Sequence, residues 1–140
     1  MRPKVVAGNW KMHTLLGEAR ELAGEVLKVL QPRLRASEKL RVILCPPSLW
    51  LTEVGDILSG SAVELGAQDT HFEPKGAFTG AVSAGMLNSA GVQNVIVGHS
   101  ERRRLFGETD DIVNRKVLAV LDNDMRPIIC VGETTPQRNS

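Results

Sequence analysis

The sequence predicts an α/β fold, a parallel sheet with crossover helices. Three observations point to it. Five short apolar runs recur along the chain, at Val5–Asn9, Arg41–Cys45, Ala62–Ala67, Asn94–Val97 and Pro127–Val131. None alternates cleanly between apolar and polar residues, which is the pattern of parallel strands covered on both faces. Segments with helical spacing lie between them, so strand and helix repeat before a last strand ends the series. The 140 residues suit one domain spanning 1–140.

The elements follow in order. Leu22, Val26, Val29 and Leu30 fall at i, i+4, i+7 and i+8, one face of a first helix. Pro32 and the polar Arg33–Lys39 stretch are expected to close it. Pro46-Pro47-Ser48 follows the second strand, and Ser48 is expected to cap a helix over Leu49–Leu58. Gly55 weakens that helix, and Ser59-Gly60-Ser61 stops it. Gln68 to Gly91 is a longer connection with Pro74, Gly76, Gly80, Gly85 and two phenylalanines. Connections of this length are commonly functional or contact a partner. The plainer alternative is a surface excursion with a short helix near Ser83–Ala90. After the fourth strand, Ser100 is expected to cap a helix beginning at Glu101. Thr109-Asp110-Asp111 opens another, with Val113, Val117, Val120 and Leu121 as its buried face.

Composition narrows the function classes. A net charge of +1 and an aromatic fraction of 4% point away from nucleic acid and from an anionic membrane surface. No run approaches the ~20 apolar residues of a membrane span. Met1-Arg-Pro-Lys leads into a strand, not into a secretory apolar region. A cytoplasmic setting is therefore expected, with Cys45 and Cys130 as reduced core thiols.

Chemistry gathers at three strand ends: Gly8-Asn9-Trp10-Lys11, Gly98-His99-Ser100-Glu101 and Cys130-Val131-Gly132-Glu133. In a parallel sheet these ends share one rim, so Asn9, Lys11, His99 and Glu101 are candidate neighbours. A lysine there attracts an anionic substrate and stabilises developing negative charge. A helix N-terminus disfavours positive charge, so a neutral imidazole is expected at His99, able to donate to a carbonyl. Such a set suits proton transfer beside the carbonyl of a phosphorylated substrate. Taken singly, each residue has a bland reading: a structural histidine, a solvated rim lysine, a glutamate that stabilises a first helical turn.

The order of motifs adds a resemblance. Asn9-Trp10-Lys11-Met12, Cys45-Pro46-Pro47, Gly76-Ala77-Phe78-Thr79-Gly80, Val97-Gly98-His99-Ser100-Glu101-Arg102-Arg103 and Cys130-Val131-Gly132-Glu133-Thr134 together closely resemble the triosephosphate isomerase family. The resemblance implies part of a (β/α)₈ barrel, working without a cofactor on a small phosphorylated triose. By position, Asn9 and Lys11 look like the substrate residues of the first strand, and His99 like the electrophile that polarises the carbonyl. Glu101 is similar to the family's second carboxylate, supporting Lys11 or shuttling protons. The long connection resembles the family's dimer-contact loop, which makes Gly76, Phe78 and Thr79 candidate interface residues. Cys130 matches a fifth-strand cysteine, read as packing.

The pattern also departs from the family. Five strands are visible where the barrel has eight. No Ala-Tyr-Glu-Pro-Val-Trp segment is present, so the catalytic base, the closing lid and the later Gly-rich phosphate loops are not represented. The expectations are an N-terminal part of a longer enzyme, one half of a split enzyme with a complementing C-terminal segment, or a piece that covers its sheet edges by self-association. Two other classes stay open. One is a non-catalytic half-barrel. The other is a flavodoxin-like binding domain, for which Gly8-Asn9-Trp10-Lys11 is too poor in glycine.

Overall fold

The computed structural model describes residues 2–35 and 39–140. The elements are β1 Lys4–Asn9, α1 Leu16–Arg35, β2 Leu40–Cys45, a 3₁₀ turn at Ser48–Trp50, α2 Leu51–Leu58, β3 Val63–Ala67, α3 Ala84–Ser89, β4 Asn94–Val97, α4 Ser100–Leu105, α5 Asp110–Asp122, β5 Arg126–Ile129 and α6 Thr135–Arg138. The five strands form one sheet in the order β1-β2-β3-β4-β5. Every neighbouring pair is parallel. The architecture is a curled half-barrel with helices between the strands, as in a TIM barrel.

Register divides the strands into two faces. Val42, Leu44, Val63, Leu65, Ala67, Val95 and Val97 pack with Ala19, Ala23, Leu51, Val54, Leu58, Leu87, Val113 and Val120 in the larger core. Each fully buried valine or leucine there contributes about 2 kcal/mol. The alternate residues Ile43, Cys45 and Ile96 form a second cluster with Ile128 and Cys130. Gly66 sits within it. A Cβ there would meet the Cys45 Sγ at 2.5 Å and the Ile43 Cγ2 at 2.9 Å, so no larger residue fits without movement. At the strand starts, Arg41 and Arg126 both pair with Glu64. The Asn94 amide also donates to Glu64, at 3.2 Å.

Several expectations need correction. Strands β1 and β5 are edges and are not covered on both faces: Val5, Val6 and Ile129 are about half exposed. Helix α1 continues through Pro32 to Arg35. The proline lies in the last turn, and the missing N–H removes only the helical bond to the carbonyl of Lys28, an exposed residue. The expected close over Arg33–Lys39 falls partly outside the described residues. Leu22 and Val29 are exposed, and the buried line of α1 runs through Ala19, Ala23 and Leu34. Small side chains let a helix sit close to its neighbours, which spacing of large apolar residues does not reveal. Ser48 starts a 3₁₀ turn, and neither that turn nor α2 has a side-chain cap. Gly55 has a packing reason: a Cβ there would meet the Leu65 Cδ2 at 3.1 Å. On α5, Leu121 is exposed, whereas Lys116 is buried beside Val113 and Val120.

Two predictions follow from this interior. Burial pushes the Cys45 thiol up to about 12, so it stays protonated at neutral pH. A thiol reagent at pH 8 is expected to label Cys130 first and Cys45 only on unfolding; equal labelling rates in the native chain would contradict this. Burial pushes the Glu64 carboxyl upward, but Arg41, Arg126 and Asn94 together hold it below its ordinary value. A depressed folded value stabilises the native state above the ordinary carboxylate range of about 4.3, and that stability is lost as pH falls through the folded value. Glu64→Gln is expected to cost about 2 kcal/mol at neutral pH and progressively less in acid, read by urea denaturation. A pH-independent loss would mean that the charge is not the source.

Candidate active site

The site is built where β1 and β4 end. Strand β1 runs to Asn9, and two residues later Lys11 adopts φ 55°, the left-handed region uncommon for a side chain other than glycine. Three contacts over-determine that conformation. The Asn9 Oδ1 accepts the Lys11 backbone N–H at 2.9 Å. The Gln68 Nε2 donates to the Lys11 carbonyl at 2.8 Å and to the Cys45 carbonyl at 2.9 Å. The Lys11 Nζ donates to the Glu101 Oε1 at 2.7 Å. Strain of this kind costs on the order of 1 kcal/mol and persists only where its surroundings hold it.

Strand β4 ends at Val97, and Gly98 turns the chain at φ 71°. A Cβ at Gly98 would lie 2.9 Å from both Val113 methyls, so glycine lets α5 approach the strand end. His99 then caps α4: its Nδ1 accepts the Glu101 backbone N–H at 3.1 Å. This corrects the expectation for Ser100, which is the first residue of the helix. The imidazole ring reaches the amide two residues on and takes the capping role. The geometry has a chemical consequence. An Nδ1 that accepts carries no proton, so the neutral ring holds its proton on Nε2. Nε2 has no hydrogen-bond partner among the described residues and is free to donate.

Glu101 lies between Lys11 and His99. Its Oε2 is 3.7 Å from the His99 Nδ1, and its Oε1 holds Lys11. The hydrogen bond from Lys11 is the main cause that holds its carboxyl below the ordinary range. The structure therefore brings Lys11, Glu101 and His99 into one cluster, with Asn9 joined through the Lys11 backbone. Glu133, at the third strand end, instead pairs with Arg138 at 3.0 Å.

Gly76, Phe78 and Thr79 lie apart from this cluster, on the exposed part of the long connection. The base of that connection is clamped: the His71 N–H donates to the Val82 carbonyl at 2.7 Å, and Thr70 and Ser83 are buried. Ser83 caps α3 through the Met86 N–H, which agrees with the short helix expected there. Phe78 packs on His71, ring centroids 4.3 Å apart, and Gly76 makes room for the Phe78 ring. Among the described residues, no group of three or more histidines, cysteines, aspartates or glutamates is placed to hold a metal ion.

Sequence reasoning missed Gln68 and the arginines of α4. Gln68 follows the end of β3, so the same rim rule that singled out Lys11 and His99 points to it. The Arg103 Nε donates to the Gly98 carbonyl at 2.8 Å, its Nη2 lies 3.4 Å from the Cys130 carbonyl, and its Nη1 holds Asp110 at 2.7 Å. Arg102 and Arg103 stood in the quoted motif, but nothing in their spacing said what they hold.

Comparison with known proteins agrees with this geometry. A family model described as triosephosphate isomerase matches residues 4–140. The triosephosphate isomerase of Roseiflexus sp. (strain RS-1) is 50% identical over 140 residues, which is 100% of this chain and 54% of that protein. The triosephosphate isomerase of Thermoanaerobacter sp. (strain X514) is 47% identical over 138 residues, 99% of this chain and 54% of that protein. A crystal structure of triosephosphate isomerase from Bartonella henselae aligns with a TM-score of 0.89 at 38% identity, covering 99% of this chain and 55% of that one. The chain thus spans about half the length of the relatives it matches. The strand order, the His99-capped helix and these matches agree, and the chain belongs to the triosephosphate isomerase family.

Proposed function

We propose that this chain contributes the substrate-polarising part of a triosephosphate isomerase site, which interconverts dihydroxyacetone phosphate and glyceraldehyde 3-phosphate without a cofactor, in the cytoplasm. The observation that carries the reading is the contact of Lys11 with Glu101, beside His99 with a free Nε2–H. Isomerisation requires loss of a proton from the carbon beside the carbonyl. The electron pair moves to the carbonyl oxygen and forms an enediolate. The proton of the adjacent hydroxyl then passes to that oxygen, and protonation of the former carbonyl carbon leaves the hydroxyl's oxygen as the new carbonyl. The His99 Nε2–H would donate to that oxygen as its charge develops, and the Lys11 ammonium would face the phosphate and the same oxygens. The Asn9 Nδ2 is a further donor, its Oδ1 being engaged with the Lys11 N–H.

The reading assigns the proton acceptor to a carboxylate supplied from outside these residues, since Lys11 engages Glu101 and Arg138 engages Glu133. The chain by itself is then expected to be inactive or slower by about 10²–10⁴ or more. Residues 1–140 would form one incomplete barrel domain, completed by a C-terminal segment. Gly76, Phe78 and Thr79 would meet a second copy of the chain. A second reading, a non-catalytic half-barrel that self-associates or pairs with a separate chain, draws support from the half-exposed Val5, Val6 and Ile129 at the sheet edges.

Two measurements test this. The chain is mixed with the C-terminal segment of a family relative, and turnover is recorded. Recovered isomerisation is expected, and His99→Gln should lower kcat about 10²-fold while circular dichroism stays the same. An unchanged kcat would remove His99 from the chemistry; no turnover from a folded mixture would favour the non-catalytic reading. Separately, Phe78→Ala is expected to weaken association in sedimentation, and unaltered sedimentation would leave the long connection a surface excursion.

A further inference from the structure

Helix α4 carries Glu101 and starts directly after His99, yet it has six residues and none of them is buried. Apolar burial does not hold it, so its position depends on polar contacts. Those contacts lead to a closed ring of four charges. The Arg102 Nε donates to the Glu108 Oε2 at 2.6 Å, and its Nη2 lies 3.2 Å from the Asp69 Oδ2. The Lys116 Nζ bridges the same two carboxylates, 2.8 Å from the Asp69 Oδ1 and 2.6 Å from the Glu108 Oε1. Two acids and two bases alternate, so the ring is neutral. One half of it is buried, Lys116 at 5% exposed and Glu108 at 8%, while the Arg102 and Asp69 side chains remain about a third exposed.

The ring joins four parts of the chain. Asp69 belongs to the base of the long connection, Arg102 to α4, Glu108 to the turn after α4, and Lys116 to α5. Asp69 is adjacent to Gln68, whose amide holds the Lys11 carbonyl. One side of the dipeptide Gln68-Asp69 therefore fixes Lys11, and the other fixes the helix behind His99. Buried charges in place of apolar residues gain little stability, but they impose direction.

We propose that Asp69, Glu108 and Lys116 are positioning residues for His99: they act through Arg102 to hold α4 in register with Lys11. The ring sets the relative placement of the imidazole and the ammonium through contacts that include neither of them. The inference deepens the isomerase reading and rests on it only for the consequence in catalysis.

The test uses the 140-residue chain and two variants, Lys116→Met and Asp69→Asn. The ¹⁵N spectrum of the His99 imidazole and the amide signals of Lys11 and α4 are compared with those of β2 and β3. The expected result is displacement of the His99, Glu101 and Lys11 signals while the β2 and β3 signals keep their positions. In the complemented assembly, kcat is expected to fall about tenfold or more with KM little changed. Unmoved His99 signals in a folded variant would overturn the proposal, as would a shift spread evenly over the sheet. If Lys116→Met does not fold, Asp69→Asn decides, because it keeps the side-chain shape while removing the charge and one of the two acceptor oxygens that Lys116 and Arg102 share. The spectral comparison is made on the chain itself, so it reads the ring whether or not the assembly turns over.

Discussion

The parallel register of the sheet is the constraint on which the rest depends. Val42 faces Val63 and Ile43 faces Glu64, and Ile96 faces Ile128 further along. A slip by one residue would exchange the two faces of a strand. The observed register sends one set of side chains to the helices and the other to the curled interior. It also brings the ends of β1 and β4 to the same rim, where Lys11 meets Glu101 across ninety positions of sequence. No local interaction between β1 and β4 would achieve that, since β2 and β3 lie between them.

On that frame, the helices are held in two different ways. Helix α2 buries Leu51, Val54 and Leu58, and α5 buries Val113 and Val120. Helix α4 buries no side chain and is held by Arg102 and Arg103 instead. Apolar packing is non-directional, whereas a guanidinium fork fixes orientation as well as distance. The segment that carries His99 and Glu101 is thus placed by the directional interaction. Lys11 is a parallel case: a backbone conformation that the residue disfavours is kept by hydrogen bonds at its N–H, its carbonyl and its ammonium.

Much of this was legible in the sequence, and the reasons are local. The five strands read out because short apolar runs bounded by turn residues have few alternatives, and Thr109 and Ser83 announce their helices by side-chain caps. The rim set of Asn9, Lys11, His99 and Glu101 was readable once strand ends were known. Three things were not. The exposure of Leu22 and Val29 depends on how α1 sits against the sheet, a property of the whole fold, whereas the edge positions of β1 and β5 follow from five strands in an open sheet. The capping role of His99 depends on ring geometry that residue preference does not encode. Lys116 sits at the i+3 position from Val113 on a buried face, where a lysine reads as a solvated exception until Asp69 and Glu108 are seen to converge on it.

Gly66 and Cys45 have a consequence for how the family can vary. The space a Cβ would need at position 66 is occupied by the sulfur of position 45 on the neighbouring strand. The two positions share a single volume, so their identities are coupled: alanine at 66 needs a smaller side chain at 45 and a shift of the Ile43 methyl as well. A side chain added at 66 alone therefore pushes on the neighbouring strand rather than only on its own surroundings, and it would be felt at the rim a few residues further along both strands.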